Sequence, residues 1–151
     1  MPHKPYIILI GILLTLCGCD KTPVNGDLDG MWQLMTIETP DSTADVQARR
    51  LYLSFYLHLA DWRCPQKNEH FHFYSHFTHR QDSLCFYDLC RASAHTAQDA
   101  DDIPLTATDM ALGDMDDWGI HTLDMRYRIK SLNSRNLTLE KKDTVYAFRK
   151  F

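Results

Sequence analysis

The sequence predicts an all-β fold: seven or eight short strands in a small antiparallel barrel or sandwich. Several segments alternate apolar and polar residues with a period of two, which is typical of half-buried strands. Turn-forming residues separate these segments at short intervals, and no segment has a clear helical period. Short strands joined by turns indicate a barrel or a sandwich, and closing the sheet into a barrel would leave no unpaired edges.

The first eighteen residues are predicted to be a secretory signal rather than part of the fold. A basic start ending at Lys4 precedes an apolar run from Tyr6 to Leu16, and small residues follow. The run is too short to span a bilayer comfortably, and no later segment is apolar enough to do so. We therefore expect the chain to be exported.

The end of the signal, Leu16-Cys17-Gly18-Cys19, resembles the bacterial lipobox. In lipoproteins of this kind the cysteine thiol is diacylated and the cysteine becomes the mature N-terminus. Cys17 fits less well, because the bulky Leu16 precedes it. Plain secretion with an unmodified Cys19 is the alternative. The resemblance implies a lipid on Cys19 and a location in the cell envelope, either periplasmic or on the outer-membrane surface.

The mature chain is predicted to consist of a tether and one domain. Residues 19–29 contain Pro23, Gly26 and three aspartates, with little that could pack, so we expect a lipidated flexible tether. Residues 30–151 have the length of one modest domain. Acidic residues outnumber basic ones, which argues against nucleic-acid binding.

The first half of the domain contains the cleanest strand patterns. Gly30–Glu38 is rich in strand formers and is followed by Pro40, after which residues 40–47 are expected to form a polar loop or a short helix. The next strand is predicted over Leu51–Leu59, with its leucines and Phe55 on one face. Asp61–Asn68, which includes Pro65, is the predicted loop after it.

The second half contains two predicted hairpins and one unusual connection. The first hairpin joins Glu69–His79 to Ser83–Cys90 through Arg80–Asp82. The segment 92–119 holds seven aspartates and no lysine or arginine, so it is predicted to be a long loop with at most a short strand or helical turn. A strand over His121–Leu132 follows. The last hairpin joins Leu137–Glu140 to Val145–Arg149.

Two parts of the domain resemble a known family. Gly30-Met31-Trp32 matches the Gly-x-Trp signature of lipocalins and their calycin relatives, and the ending from Ile129 to Phe151 resembles bacterial lipocalin-like lipoproteins of unknown function. The resemblance implies an eight-stranded meander that can hold an apolar ligand and has no catalytic residues. It also implies that Trp32 lies inside the closed end of the barrel, with Arg149 packed over its ring.

Any ligand is therefore expected to be small and largely apolar. Its predicted contacts are the inward residues Leu53, Phe55, Leu57, Phe71, Phe73, Met125 and Tyr127. The alternative is an interaction module whose barrel is filled by its own side chains and whose loops dock an envelope protein. A cavity of about 300 Å³ or more would favour the ligand, and a filled core would favour the partner.

A histidine-rich strand face raises a metal-binding hypothesis. If the strands at 51–59 and 70–78 are neighbours, His58 lies opposite His72 and near His70, where imidazoles could bind zinc, copper or nickel. The alternative is a solvated outer face. Gly113–Gly119 similarly suggests an oxygen-ligand calcium loop, but Trp118 occupies a ligand position, and a solvated acidic turn is the other interpretation.

No motif recommends an enzyme or a cofactor. The chain lacks G-x-S-x-G, H-E-x-x-H and a phosphate-binding loop, so we expect a non-enzymatic protein that needs no cofactor.

The three cysteines of the domain are expected to include one disulfide, because export exposes them to an oxidising compartment. Cys85 and Cys90 are five residues apart on one predicted strand, so they should point to opposite faces. Centring the preceding turn on Gln81 places Cys85 inside as a buried thiol. It also places Cys90 beside the loop of Cys64, which predicts a Cys64–Cys90 bridge.

Overall fold

The computed structural model describes residues 23–67, 72–92 and 103–151, which contain ten β-strands. In chain order these are β1 (Gly30–Thr39), β2 (Ser42–Asp45), β3 (Tyr52–Tyr56), β4 (Leu59–Arg63), β5 (His72–Arg80), β6 (Ser83–Arg91), β7 (Ile103–Pro104), β8 (Met125–Leu132), β9 (Asn136–Lys141) and β10 (Thr144–Lys150). Residues 1–22, and with them Cys17, Cys19 and the predicted signal, lie outside the described residues.

Eight of these strands form a closed antiparallel barrel. The order around it is β1, β3, β4, β5, β6, β8, β9 and β10, and pairing of β10 with β1 closes the circle. The path follows the chain, so the predicted eight-stranded meander is confirmed. β2 extends β1 as a short hairpin and β7 pairs with the end of β6, so both lie outside the circle.

The single strand predicted over 51–59 is wrong, because a tight turn at Leu57–His58 divides it into β3 and β4. Leu57 adopts a left-handed backbone conformation with φ 54°. In this two-residue turn Tyr56 pairs with Leu59, so both side chains lie on the outer face and the alternation changes phase. Ala60, and Trp62 from the predicted loop, consequently point into the barrel and are buried.

The β5–β6 hairpin forms where it was predicted, but its register differs by one residue. The turn consists of Gln81 and Asp82, so Arg80 pairs with Ser83 and Thr78 pairs with Cys85. A bulge then follows at Asp88, which has φ 52°, and Tyr74 pairs with Cys90. Cys85 and Cys90 thus both lie on the outer face of the barrel, because their partners on β5 face outward. The sequence had placed them on different faces.

The folded part of the chain begins earlier than expected. Gly26–Leu28 form a 3-10 turn, and the side chain of Leu28 is fully buried. The side-chain amide of Asn25 donates hydrogen bonds to the Asp29 carboxylate and to the carbonyl of Leu57. Residues 25–29 therefore belong to the domain, which corrects the predicted tether over 19–29 on its C-terminal side.

The predicted loop 40–47 also contains regular structure. β2 pairs with the second half of β1, and a 3-10 turn over Gln47–Arg49 follows it. The loop was predicted because its residues are polar, and all four residues of β2 are indeed exposed. β2 is a strand because its backbone forms hydrogen bonds with β1, and these bonds leave no pattern in the side chains.

The described part of the acidic connection between β6 and β8, residues 103–124, contains one short helix, α1 (Ala107–Ala111), and a 3-10 turn over Asp116–Trp118. Thr106 caps α1, since its hydroxyl accepts from the Asp109 N–H and the Asp109 carboxylate accepts from the Thr106 N–H. The Thr106 hydroxyl also donates to the Asp109 carboxylate, and this hydrogen bond, together with the one from the Thr106 N–H, lowers the pKa of Asp109. No helix in the described ranges has the length and apolar character needed to cross a bilayer.

Candidate functional site

The barrel interior is the natural place to look for a ligand. Five of the seven residues predicted to line it are buried there: Leu53, Phe55, Phe73, Met125 and Tyr127. Leu57 instead lies in the β3–β4 turn with 45% of its surface exposed, so its assignment to the interior was wrong. Phe71 lies outside the described residues.

A continuous chain of aromatic rings fills this interior. Phe55 contacts Phe86 at a centroid distance of 6.0 Å, and Phe86 contacts Trp62 at 4.8 Å and Tyr127 at 5.8 Å. Edge-to-face contacts dominate, which is the favourable geometry for aromatic rings. The indole N–H of Trp62 donates to the buried hydroxyl of Ser75 at 3.0 Å, so this polar group is satisfied inside the core.

One end of the barrel is closed by the connection between β6 and β8, which we call the plug (residues 103–120). Its side chains Leu105, Met110, Met115, Trp118 and Ile120 are all buried in the same core as the strands. The Trp118 ring packs edge-to-face on Trp62, with centroids 5.1 Å apart. The prediction of a solvated acidic loop is therefore wrong for the apolar residues of this segment.

Hydrogen bonds and ion pairs fasten the plug to the rim of the barrel. Asp114 forms an ion pair with Arg91 at the end of β6. Asp117 pairs with Lys67 in the β4–β5 connection at 2.5 Å, and this contact raises the pKa of Lys67. The phenol of Tyr146 on β10 donates to the carbonyl of Gly119 at 3.0 Å. Asp114 and Asp117 thus connect the plug to the rim of the barrel.

Gly119 allows the plug to approach the wall closely. Its φ of +66° lies in the left-handed region, which ends the 3-10 turn, and a Cβ at this position would lie 3.3 Å from the side chain of Ile37. Glycine adopts this φ without strain and, having no Cβ, also leaves room for the side chain of Ile37. The loop 113–119 is therefore better explained by closure of the barrel than by calcium binding, because its carboxylates contact Arg91, Lys67 and His121.

The opposite end of the barrel, where Gly30 begins β1, is closed around Trp32. This tryptophan is fully buried and its indole N–H donates to the carbonyl of Leu28 at 2.8 Å. The cation over its ring is Lys150, with Nζ 4.8 Å from the ring centroid. The prediction that Arg149 fills this role is wrong by one residue: Lys150 pairs with Trp32, whereas Arg149 pairs with Gln33 and is exposed.

Gly30 is the reason that Lys150 can reach this position. A Cβ on Gly30 would lie only 3.0 Å from Cε of Lys150, and the φ of +115° disfavours any other residue. The Gly-x-Trp pattern therefore has a direct physical basis here, since the glycine makes room for the cation that covers the tryptophan.

The predicted histidine cluster does not form. The carbonyl of His58 accepts from the N–H of Phe77, whereas His72 pairs with Arg63 at the far end of β4, so about 16 Å of β5 separates the two positions. His58 lies in the β3–β4 turn, whereas His72 begins β5 beside Asp61, with Nδ1 3.4 Å from the carboxylate. His70 is outside the described residues. Among the residues that are described, no three histidine, cysteine or acidic side chains converge as a metal site.

The predicted Cys64–Cys90 disulfide is absent, and all three cysteines are thiols. Cys64 is buried in the core cluster, whereas Cys90 is on the outer face, so the barrel wall separates them. Cys90 donates to the carbonyl of Asp88 at 3.4 Å. Cys85, predicted to be buried, is only half-buried and contacts the hydroxyl of Ser83. The one-residue change of register described above turns Cys85 outward. Cys64 lies inside because the even-numbered residues of and after β4, Ala60, Trp62 and Cys64, face the core.

Two pockets formed by the described residues have volumes of about 700 Å³ and 290 Å³. A polar groove of about 700 Å³ is lined by Gln33, Asp45, Gln47, Ala48, Arg50 and Tyr52. A mostly apolar pocket of about 290 Å³ lies beside the N-terminal segment and is lined by Pro23, Val24, Asp29, Gly30, Phe55, Tyr56 and Leu57. Both are open to solvent, and neither is the enclosed cavity that the sequence interpretation required for a stored ligand.

Comparison with known proteins identifies the family. The family model described as "Lipocalin-like domain" matches residues 13–151, which is most of the chain. The chain belongs to the lipocalin-like domain family. This confirms the resemblance that rested on Gly30, Trp32 and the C-terminal strands. Lipocalin-like domains are generally non-enzymatic binding domains, and the barrel fold is compatible with ligand binding.

Two solved structures share the fold of this lipocalin-like domain. A lipocalin-like protein from Bacteroides uniformis ATCC 8492 is 19% identical, with a TM-score of 0.58 over 83% of this chain and 100% of that one. An uncharacterized protein from Bacteroides eggerthii DSM 20697 is 18% identical, with a TM-score of 0.56 over 82% of this chain and 99% of that one. No curated protein matches the chain.

Sequence reasoning missed the residues of the lipocalin-like domain that close its two ends. Trp118 and Met115 stand among aspartates, and only their bulk and apolarity set them apart from the acidic residues around them. Trp62 was assigned to a loop because Pro65 follows it, although it precedes the proline by three residues. Lys150 lies next to the predicted Arg149, and choosing between them requires the register of β10 against β1.

Proposed function

We propose that this protein is a cell-envelope lipoprotein, anchored by a lipid on Cys19, whose barrel takes up a small, largely apolar ligand by exchanging it for the plug. The observation that carries the proposal is that a separate segment, and not the barrel's own strands, closes the mouth. The inner face of the plug is apolar, and Trp118 covers Trp62 at the mouth. An apolar ligand could replace those contacts without exposing the core to water.

The contacts that hold the plug at the rim support an exchange of this kind. The ion pairs of Asp117 with Lys67 and of Asp114 with Arg91 are partly exposed to solvent. Pairs of this kind typically contribute no more than about 1 kcal/mol each. The rim contacts therefore orient the plug, while most of its stabilisation comes from the apolar side chains for which a ligand would compete.

A neutral fluorescent probe, N-phenyl-1-naphthylamine, tests the uptake of a ligand. We expect saturable binding to the wild-type protein and severalfold tighter binding to Trp118→Ala, because the plug then competes less well. Leu112→Ala is the matched control, since Leu112 is on the same segment and 78% exposed. Its affinity should equal that of the wild type. Binding to Trp118→Ala alone would mean that the substitution made the site, and would refute uptake by the native protein.

The filled-core interaction module is the second candidate, and the packed interior specifically favours it. Among the described side chains, the ring chain from Phe55 to Trp118 packs across the interior, and the pockets of about 700 Å³ and 290 Å³ are open to solvent. Absence of binding to both proteins would overturn ligand uptake and favour a scaffold whose loops dock an envelope protein. The same titration thus decides between the two functions.

Lipid anchoring is tested separately by fractionation of cells that produce the full chain. We expect Cys19→Ser to move the protein from the membrane fraction to the soluble fraction, because stable membrane attachment requires the acyl chains. Cys17→Ser should leave it in the membrane fraction. Retention of Cys19→Ser at the membrane, with its signal removed, would contradict the anchor.

A further inference from the structure

A group of exposed apolar side chains lies on one flank of the barrel, next to the start of the described chain. Its members are Val24, Tyr56, Leu57, Leu59 and Tyr87, each between 45% and 65% exposed. We call this group the apolar belt. Contiguous exposed apolar patches on a soluble domain commonly mark an interaction surface, whereas single exposed apolar residues do not.

Strand pairing makes the belt continuous. Tyr56 pairs with Leu59 across the β3–β4 turn, Leu59 pairs with His76 on β5, and His76 pairs with Tyr87 on β6. The His76 and Tyr87 rings stack with centroids 5.6 Å apart. Val24, Tyr56 and Leu57 line the same pocket of about 290 Å³. The belt thus runs from the N-terminal segment obliquely across four strands.

The N-terminal segment is fixed to this end of the barrel by several hydrogen bonds, one of which reaches the belt. The side-chain amide of Asn25 donates to the carbonyl of Leu57. The carbonyl of Leu28 accepts from the indole N–H of Trp32, and the carbonyl of Asp27 accepts from Nζ of Lys150 at 2.8 Å. Pro23 therefore leaves the domain directly beside the belt. Four residue steps separate Pro23 from Cys19, and a fully extended chain covers about 14 Å over that length.

We propose that the apolar belt docks on the lipid bilayer in which Cys19 is anchored; this inference rests on the proposed lipid anchor. The short connection keeps the belt within reach of the membrane interface. Tyrosine and leucine are suited to that position, since the phenol hydroxyl stays at headgroup level while the ring and the leucine side chain enter the apolar region. The plug end, with Asp114, Asp116 and Asp117, would then face away from the membrane.

Depth-dependent fluorescence quenching tests the docking in the full, lipidated chain. Leu57→Cys would carry an NBD label in a background with Cys85→Ser and Cys90→Ser, reconstituted into vesicles of phosphatidylethanolamine and phosphatidylglycerol that contain nitroxide-labelled lipid. Leu112→Cys, at the plug end, is the matched control. We expect severalfold stronger quenching at position 57 than at position 112. Leu59→Cys provides a second belt position if the first variant folds poorly.

The possible outcomes separate the docking from the anchor. A chain that does not associate with the vesicles overturns both proposals. A chain that associates but shows equal or no quenching at positions 57 and 112 overturns the docking and leaves the anchor intact. A blue shift at position 57 without quenching by the lipid means that a second copy of the chain covers the belt, which also overturns docking on the bilayer.

Discussion

Lys150 lies over the indole ring of Trp32, with Nζ 4.8 Å from the ring centroid and donating to the carbonyl of Asp27 at 2.8 Å. The side chain thereby connects the last strand, the first strand and the N-terminal turn at one end of the barrel. Gly30 leaves the space that this arrangement needs.

Replacing Lys150 by Met should lower the free energy of unfolding by about 0.5–2 kcal/mol, because the cation–π contact is lost. Arg149→Met is the control, because Arg149 is exposed and pairs only at the backbone level with Gln33 and Asn136. Its effect should stay within about 0.5 kcal/mol. Urea unfolding of both variants measures the difference, and a larger loss in Arg149→Met would contradict the register of β10.

Replacing Trp32 by Ala should cost about 3–5 kcal/mol, as expected when a large buried aromatic side chain is removed from a core. Trp32 is fully buried, and its N–H bond to Leu28 also fixes the N-terminal turn. Thermal unfolding followed by circular dichroism measures the loss. An unchanged melting temperature would show that the ring is not part of the core.

Stability should fall in alkaline solution because Tyr127 is buried. Burial raises the pKa of its phenol well above the usual value, so the folded state holds the proton that the unfolded chain releases above about pH 10. The stabilisation is complete below the unfolded pKa and is lost as the pH rises above it. Urea unfolding at about pH 9 and about pH 11 should show a smaller loss in Tyr127→Phe than in the wild type. Equal losses would argue against a buried phenol at this position.

Thiol labelling of the native protein should be faster at Cys85 and Cys90 than at Cys64. Cys64 is buried in the core, whereas the other two are half-buried on the outer face. Mass spectrometry after short labelling times gives the order directly. Rapid labelling of Cys64, or a mapped Cys64–Cys90 bridge, would contradict the placement of these residues and restore the pairing expected from the sequence.

The alternation of apolar and polar residues was sufficient to predict the strands in the second half of the domain. The β5–β6 and β9–β10 hairpins and most of β8 lie where the alternation placed them, because each buries one face and exposes the other. The pattern failed at Leu57–His58, where neither glycine, proline, asparagine nor aspartate marks the turn. Alternation continues through this turn in the sequence, although the inward face changes from odd to even positions.

The sequence by itself determined the fold class and the position of Trp32, because period-two burial and a large aromatic residue at the start of β1 are local properties. Only the tertiary structure decided which cation covers that ring, which face each cysteine occupies and what fills the barrel. The first two depend on pairing register, where a shift of one residue reverses the face of every side chain. What fills the barrel depends on the acidic plug segment. Its few apolar residues are buried because the interior of the barrel removes them from water.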